Sequence, residues 1–185
     1  NSEDFMYTGA IHEQPKIKLP IYDLDVTLLH YGYISTDKEL MERKFERNTE
    51  ILKKEIEKDP ENHYYWHQLS VSYGMHKDYK EALKYALKTY EIAQKKKLDI
   101  SRCMYVYNHL AITYFWNNKF KEAEDICLKA IKVSDEYIDL FYILGKCQNA
   151  QEKFKEAIQS FERYLKLYKN YDKYKGSRDI TTTTY

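Results

Sequence analysis

The sequence contains little of what interrupts or crosslinks a polypeptide. Among its 185 residues there are five glycines, three prolines and three cysteines. Because glycine and proline mark most turns, their scarcity predicts few turns and long regular elements. The cysteines, Cys103, Cys127 and Cys147, are odd in number and show no C-x-x-C spacing, which argues against a disulfide framework or a zinc site. We therefore expect reduced, buried thiols in a cytoplasmic protein.

The sequence also lacks a charge excess and a long apolar run. Its 30 basic and 29 acidic side chains leave a formal net charge of +1, so no global field attracts nucleic acid or an anionic membrane. No apolar run approaches the roughly 18 to 20 residues that span a bilayer. The lysines at 95–97 are interpreted as a solvated helix end, where cations face the negative end of the helix dipole. Neither a nucleic-acid partner nor a membrane span is predicted.

Three similar segments recur along the chain. They are DYKEALKYALKTY at 78–90, KFKEAEDICLKAI at 119–131 and KFKEAIQSFERYL at 153–165. Each combines an aromatic residue, a Lys-Glu-Ala triplet and an amphipathic run, and each follows a second segment that reads as a helix. The alanines of the triplets, Ala82, Ala123 and Ala157, lie 41 and 34 residues apart. A period near 34 made of two helices is typical of tetratricopeptide repeats.

The chain resembles the tetratricopeptide repeat family at the positions that define its packing. These are Trp66, Leu69, Tyr73, Tyr79 and Ala82 in the first unit, Leu110, Ala111, Tyr114, Phe120, Ala123 and Ala130 in the second, and Leu144, Gly145, Phe154, Ala157 and Phe161 in the third. Small residues let paired helices approach, and large ones fill the gaps between units. The predicted fold is mainly α, an α-α superhelix. Its repeat region is 35–172, with an extra helix at 36–58, units at about 63–97, 104–137 and 138–171, and a polar tail at 173–185.

Residues 1–34 do not follow this helical period. Short runs rich in β-branched and aromatic residues predict two strands, near 16–19 and 24–31. Two isolated strands are at best marginally stable. We therefore expect this β stub to pack on the first helix or to have belonged to a larger sheet.

The order of motifs around the stub resembles the junction in bacterial family 2 glycosyltransferases that carry a tetratricopeptide tail. The motifs are Ile11-His12-Glu13-Gln14-Pro15, His30-Tyr31-Gly32-Tyr33 and Arg47-Asn48. The resemblance implies that residues 1–34 end a GT-A catalytic domain, in which His12 completes the shell of a Mn²⁺ or Mg²⁺ ion. It also implies that the repeats bind a polypeptide acceptor or a second enzyme copy.

The chain itself is expected to have no catalytic residues and no cofactor of its own. No D-x-D motif within a nucleotide-binding unit precedes His12, and Asp23-Leu24-Asp25 is interpreted as a chance match. The alternative is a stand-alone tetratricopeptide adaptor that binds a peptide and is unrelated to sugars. A homo-oligomer, formed when two copies bury their grooves together, is a third possibility. The β stub distinguishes the glycosyltransferase hypothesis from the adaptor hypothesis, because an adaptor should fold without residues 1–34.

The first helices of such units line a concave groove. The predicted groove residues are Tyr64, His67, Tyr105, Asn108, Phe115, Tyr142 and Lys146. Aromatic rings with a few hydrogen-bonding groups suit an extended or helical peptide. It is equally possible from the pattern that Ile112, Phe115 and Trp116 contact the next helix instead. His63 and His67 share a helix face, but the intervening residues lack the glutamate of H-E-x-x-H, so a metal site is not expected there.

Overall fold

The computed structural model describes residues 7–8, 14–15 and 37–171. Within 37–171 the chain forms seven α-helices and a single 3-10 turn at Ile100–Arg102. The helices are α1 Lys38–Lys58, α2 His63–Met75, α3 Tyr79–Lys95, α4 Met104–Trp116, α5 Phe120–Ile131, α6 Ile138–Ala150 and α7 Phe154–Tyr171. The mainly helical fold class predicted from the repeats is confirmed.

Two short strands precede the helices. Strand β1, Tyr7–Thr8, pairs antiparallel with β2, Gln14–Pro15, with Tyr7 opposite Pro15 and Thr8 opposite Gln14. The strands predicted near 16–19 and 24–31 lie outside the described residues, as do His12, the Asp23-Leu24-Asp25 match and the predicted tail at 173–185.

Local side-chain chemistry sets the helix boundaries. The Asp37 carboxylate accepts the Leu40 amide at 2.9 Å, and the Asn62 side chain accepts the Tyr64 amide at 3.2 Å, so both residues cap helix N-termini. Four helices are followed by a non-glycine residue with positive φ, a backbone conformation that is usually adopted by glycine. These residues are Lys77, Lys97, Asn118 and Glu152, with φ of 69°, 51°, 58° and 60°. A chain so poor in glycine thus ends its helices with strained residues instead.

The helices pack as pairs, and each pair packs on the next. Helices α2/α3, α4/α5 and α6/α7 form the pairs, α1 packs on α2, and α4 contacts both α2 and α6. Two glycines permit close approach, because an added Cβ would lie 2.5 Å from the Trp116 ring at Gly74 and 2.7 Å from the Phe161 ring at Gly145. None of the described helices is long and apolar enough to cross a membrane.

The centre of the core surrounds α4 and α5. Tyr107, Ala111, Cys127 and Leu140 are almost wholly buried there. All three cysteines are buried and free of disulfides, as the sequence predicted for reduced thiols. Burial raises the pKa of the Cys147 thiol to about 12, so that thiol is neutral and unreactive at neutral pH.

Candidate functional site

The surface shared by α2, α4 and α6, the first helices of the three pairs, is termed here the A-helix face. The seven predicted groove residues all lie on these three helices. Tyr64 and Tyr142 are exposed, whereas the other five are half-buried. The contacts divide most of them into two clusters, one between α2 and α4 and one between α4 and α6.

The histidine cluster lies between α2 and α4 and contains His63, His67, Ser70, Tyr105 and His109. The Nε2 of His63 lies 2.8 Å from the Tyr105 hydroxyl. The His67 ring meets the rings of Tyr105 and His109 edge-on, with centroids 4.8 and 4.9 Å away. Two predicted groove residues, His67 and Tyr105, therefore contact neighbouring side chains across the helix interface as well as lying on the face.

Hydrogen bonding fixes the tautomer of His109. The Ser70 hydroxyl donates its single proton to the Ala82 carbonyl at 2.6 Å. Its oxygen must therefore accept from His109 Nε2, which lies 2.8 Å away. His109 is consequently the Nε2–H imidazole, and the Ser70 hydroxyl links Ala82 of α3 to His109 of α4.

The histidine cluster is neutral at pH 7. Burial, with a smaller contribution from nearby His63, lowers the pKa of His67 to about 4. Burial also lowers the pKa of His109 well below its ordinary value, with a smaller contribution from His67. No set of three or more ligating side chains in the described part of the chain is arranged to hold a metal ion.

Two polar atoms in or beside this cluster are shielded from solvent and have no hydrogen-bond partner within the described part of the chain. They are His67 Nδ1 and Asn108 Oδ1. A buried polar group without a partner costs about 1–3 kcal/mol. The cluster is therefore tightly packed, but not all of its polar atoms are hydrogen-bonded. The side-chain oxygen of the predicted groove residue Asn108 is not accessible to a ligand.

The lysine cluster lies between α4 and α6 and contains Phe115, Tyr142, Lys146 and Tyr164 of α7. The Lys146 ammonium lies 4.6 Å from the Phe115 ring centroid and 5.6 Å from that of Tyr142. The Tyr142 side chain is 47% exposed, and its ring lies 5.4 Å from the Tyr164 ring. No carboxylate of the described residues forms an ion pair with Lys146. This cluster therefore presents a cation and aromatic surface to solvent.

The structure thus brings Phe115, Tyr142 and Lys146 together, and separately His67 and Tyr105. Tyr64 belongs to neither group, and its ring lies 6.0 Å from that of Tyr65. Sequence analysis missed His109 and Tyr164. The four-residue spacing from Tyr105 to His109 was a usable signal, because residues four apart share a helix face. Trp116 packs on Gly74 and on Tyr79, with ring centroids 5.1 Å apart, so that ring does contact the neighbouring pair.

A separate depression lies between α2 and α3. It has a volume of about 300 Å³ and is lined by Trp66, Lys84, Tyr85, Leu87, Lys88 and Glu91. None of the predicted groove residues contributes to it. Its lining is mostly the exposed side of α3, so it adds nothing to the A-helix face.

Comparison with known proteins agrees with the repeat architecture. The tetratricopeptide repeat family model matches residues 103–134, which contain α4 and α5. A solved structure of MamA is 19% identical, covers 80% of this chain and 80% of its own, and superposes with a TM-score of 0.60. A MamA segment from Desulfovibrio magneticus RS-1 is 17% identical, covers 74% of this chain and 78% of its own, and superposes with a TM-score of 0.59.

A plant structure extends the comparison. The tetratricopeptide domain of Arabidopsis OM64 is 16% identical, covers 57% of this chain and 81% of its own, and has a TM-score of 0.50. Identities this low establish the fold alone. A search of curated proteins finds no match. The chain is thus similar to tetratricopeptide superhelices, a class of fold that supports protein interaction.

The resemblance to a family 2 glycosyltransferase is wrong. The family match and the structural neighbours are those of tetratricopeptide proteins, and nothing in them indicates a glycosyltransferase. Of its motifs, Arg47-Asn48 lies on α1, where Arg47 donates to the Asn48 side chain at 3.0 Å, a purely local contact. The resemblance was misleading because it rested on short motifs without the structural context that would confirm them. The GT-A stub and the Mn²⁺ or Mg²⁺ ion at His12 lose their basis, and a tetratricopeptide adaptor fits better.

Proposed function

We propose that the chain is an adaptor whose A-helix face binds an extended peptide segment of a protein partner, centred on the lysine cluster. The single observation that carries this proposal is the Lys146 ammonium. It rests on two aromatic rings and has no carboxylate partner among the described residues. A peptide that presents a carboxylate to Lys146 and an apolar side chain to Tyr142 fits this chemistry.

The lysine cluster combines a positive charge with exposed ring area. The rings of Phe115 and Tyr142 displace part of the water around Lys146, which strengthens its attraction to an incoming carboxylate. Hydrogen bonds between ions are roughly twice as strong as neutral ones. Tyr142 and Tyr164 offer apolar faces beside the cation, so one peptide residue can bury surface while the next forms the ion pair.

The histidine cluster supports binding indirectly in this proposal. Its imidazoles are neutral and packed against one another, so they hold α2 against α4 and fix the shape of the face. Tyr64, which is exposed at the start of α2, extends the aromatic surface beyond the cluster. The proposed cytoplasmic location is supported by the three buried, free cysteines.

Selection of peptides from a random phage-displayed library, followed by fluorescence anisotropy with the selected peptides, tests the proposal. We expect Tyr142→Ala and Lys146→Gln each to weaken binding by about tenfold or more, since one exposed aromatic or ionic contact is lost. The matched control is Lys132→Gln, which removes an exposed lysine from the end of α5 and should leave affinity unchanged. Circular dichroism of each variant checks that the helices remain intact.

A double-mutant cycle sharpens the result. Replacing the acidic residue of a selected peptide by its amide should weaken binding to the parent chain but not to Lys146→Gln, because the two changes remove the same ion pair. If selected peptides bind Tyr142→Ala and Lys146→Gln as tightly as the parent chain, the lysine cluster is not the binding centre and the proposal fails.

A further inference from the structure

The outer side of α7 carries a regular apolar row. Its members, termed the α7 stripe, are Phe154, Ile158, Phe161, Leu165 and Tyr168. Their spacings of four, three, four and three residues place them on one side of the helix, as in the seam of a coiled coil. Phe154, Ile158, Leu165 and Tyr168 are 58%, 57%, 51% and 52% exposed. Phe161 is half-buried, because one side of its ring packs on Gly145.

The same positions are covered in the two earlier pairs. In the aligned repeats the first four members of the stripe correspond to Tyr79, Leu83, Ala86 and Tyr90 in α3, and to Phe120, Glu124, Cys127 and Ile131 in α5. All eight are buried or half-buried, because α4 packs on α3 and α6 packs on α5. Helix α7 therefore presents to solvent a face that this architecture elsewhere places against another helix. A contiguous apolar surface of this kind marks an interaction site.

We propose that the α7 stripe is a dimer interface that packs antiparallel against the α7 stripe of a second copy of this chain. A two-fold axis brings identical surfaces together, and a row with four-three spacing is complementary to its own copy. With Ile158 against Phe161 of the second copy, Phe154 lies against Leu165 of the second copy. Residues 172–185 are a poor alternative occupant, since their apolar residues, Tyr174, Ile180 and Tyr185, do not follow this spacing.

Charge along one edge of the stripe favours this orientation. Lys155, Glu162 and Lys169 follow one another at seven-residue intervals, so their signs alternate along the helix. In the antiparallel register above, Lys155 of each copy lies beside Glu162 of the other. A parallel pairing would place like charges at matching heights and gains no such ion pair. The dimer interface does not depend on the proposed peptide-binding function, because none of the stripe residues belongs to the lysine cluster, although Phe161 and Tyr168 adjoin its rings.

Sedimentation equilibrium of the full chain over a wide concentration range tests the interface. We expect the parent chain to dimerise and Ile158→Glu or Leu165→Glu to weaken dimerisation by on the order of a hundredfold, because each buries an unpaired charge. Gln159→Glu, one position away and exposed, adds the same charge off the stripe and should dimerise like the parent chain. Equal helical content by circular dichroism in all variants shows that folding is intact.

A charge exchange tests the orientation. Lys155→Glu should weaken the dimer about tenfold, since both symmetry-related pairs become repulsive. Adding Glu162→Lys to the same chain restores opposite charges and should restore the parent affinity. A parent chain that is monomeric at all concentrations, or stripe variants that dimerise like the parent chain, would overturn the interface. A double variant as weak as Lys155→Glu would overturn the antiparallel register.

Discussion

Between α2 and α4 the rings of the A-helix face turn toward one another, whereas between α4 and α6 they turn toward solvent around a lysine. In the histidine cluster, His67 contacts both Tyr105 and His109, and the hydrogen bonds run inward to Ser70 and Ala82. In the lysine cluster, Tyr142 is exposed and Lys146 lies over two ring faces. Similar residue types on successive helix pairs thus have opposite environments.

The difference separates groups that hold the fold from groups that can meet a partner. A neutral, desolvated imidazole contributes through packing and hydrogen bonds, and its removal affects folding. A solvated ammonium on aromatic rings contributes little to folding, because exposed cation–π pairs are worth about 0.5–1 kcal/mol. Changes in the histidine cluster should therefore alter stability, and changes in the lysine cluster should alter binding.

The largest expected effect is acid destabilisation through the histidine cluster. The pKa of His67 falls from 6.5 to about 4 in the folded chain, and that of His109 falls well below 6.5. Below pH 6.5 the unfolded chain therefore binds more protons than the folded chain. Each histidine lowers the free energy of unfolding by up to about 1.4 kcal/mol per pH unit between pH 6.5 and its folded pKa. Urea unfolding from pH 7 to pH 4.5 measures this slope.

The double variant His67→Gln with His109→Gln should flatten that slope, whatever its stability at pH 7. His76 provides a control of opposite sign, because hydrogen bonds to Glu42 and Asp78 raise its pKa. Its contribution is complete below pH 6.5 and is lost as the pH rises through the folded pKa, so His76→Gln should lower the free energy of unfolding in acid without changing its slope below pH 6.5. An unchanged slope in the double variant would show that other groups, such as carboxylates, dominate.

The next effect is expected from Ser70. Ser70→Ala removes the acceptor of the His109 Nε2–H and leaves that buried donor without a partner, which should cost about 1–3 kcal/mol in the free energy of unfolding. Ser72→Ala is the matched control, since the Ser72 hydroxyl donates only to the Gln68 carbonyl within its own helix. Urea unfolding at pH 7 compares the two. Equal losses would mean that the Ser70–His109 bond adds nothing beyond a local one.

The repeats made the fold predictable, and the reason is physical. Small residues such as Ala82, Ala123 and Gly145 recur because the two helices of every pair must approach each other closely. The repeat period can therefore be recognised from the sequence. The Ser70–His109 bond joins residues 39 apart. It depends on how α2 and α4 are rotated against each other, which no local pattern encodes. The prediction of a glycosyltransferase failed because it rested on short motifs, whose order alone specified no site.

Tyr105 and Tyr142 test the comparison directly. Both were predicted from the sequence to line the groove, where alanine at either position should weaken binding with little loss of stability. The structure separates them: we expect Tyr105→Phe to cost about 1 kcal/mol by breaking the bond to His63, and Tyr142→Phe to cost almost nothing. Thermal melts of both variants measure this difference. Similar melting temperatures would mean that the histidine cluster is no more structural than the lysine cluster.

A small effect on folding is also expected for Lys146. Lys146→Met keeps the apolar stem over Phe115 but removes the charge, so the free energy of unfolding should change by less than about 1 kcal/mol. Lys146→Arg is the matched control, because guanidinium stacks on rings and retains the cation. Urea unfolding and anisotropy with a selected peptide measure both properties. If Lys146→Met destabilised the fold more than Ser70→Ala, the cation would be a structural element. The division between the two clusters would then fail, since a lysine needed for folding cannot be varied to test recognition alone.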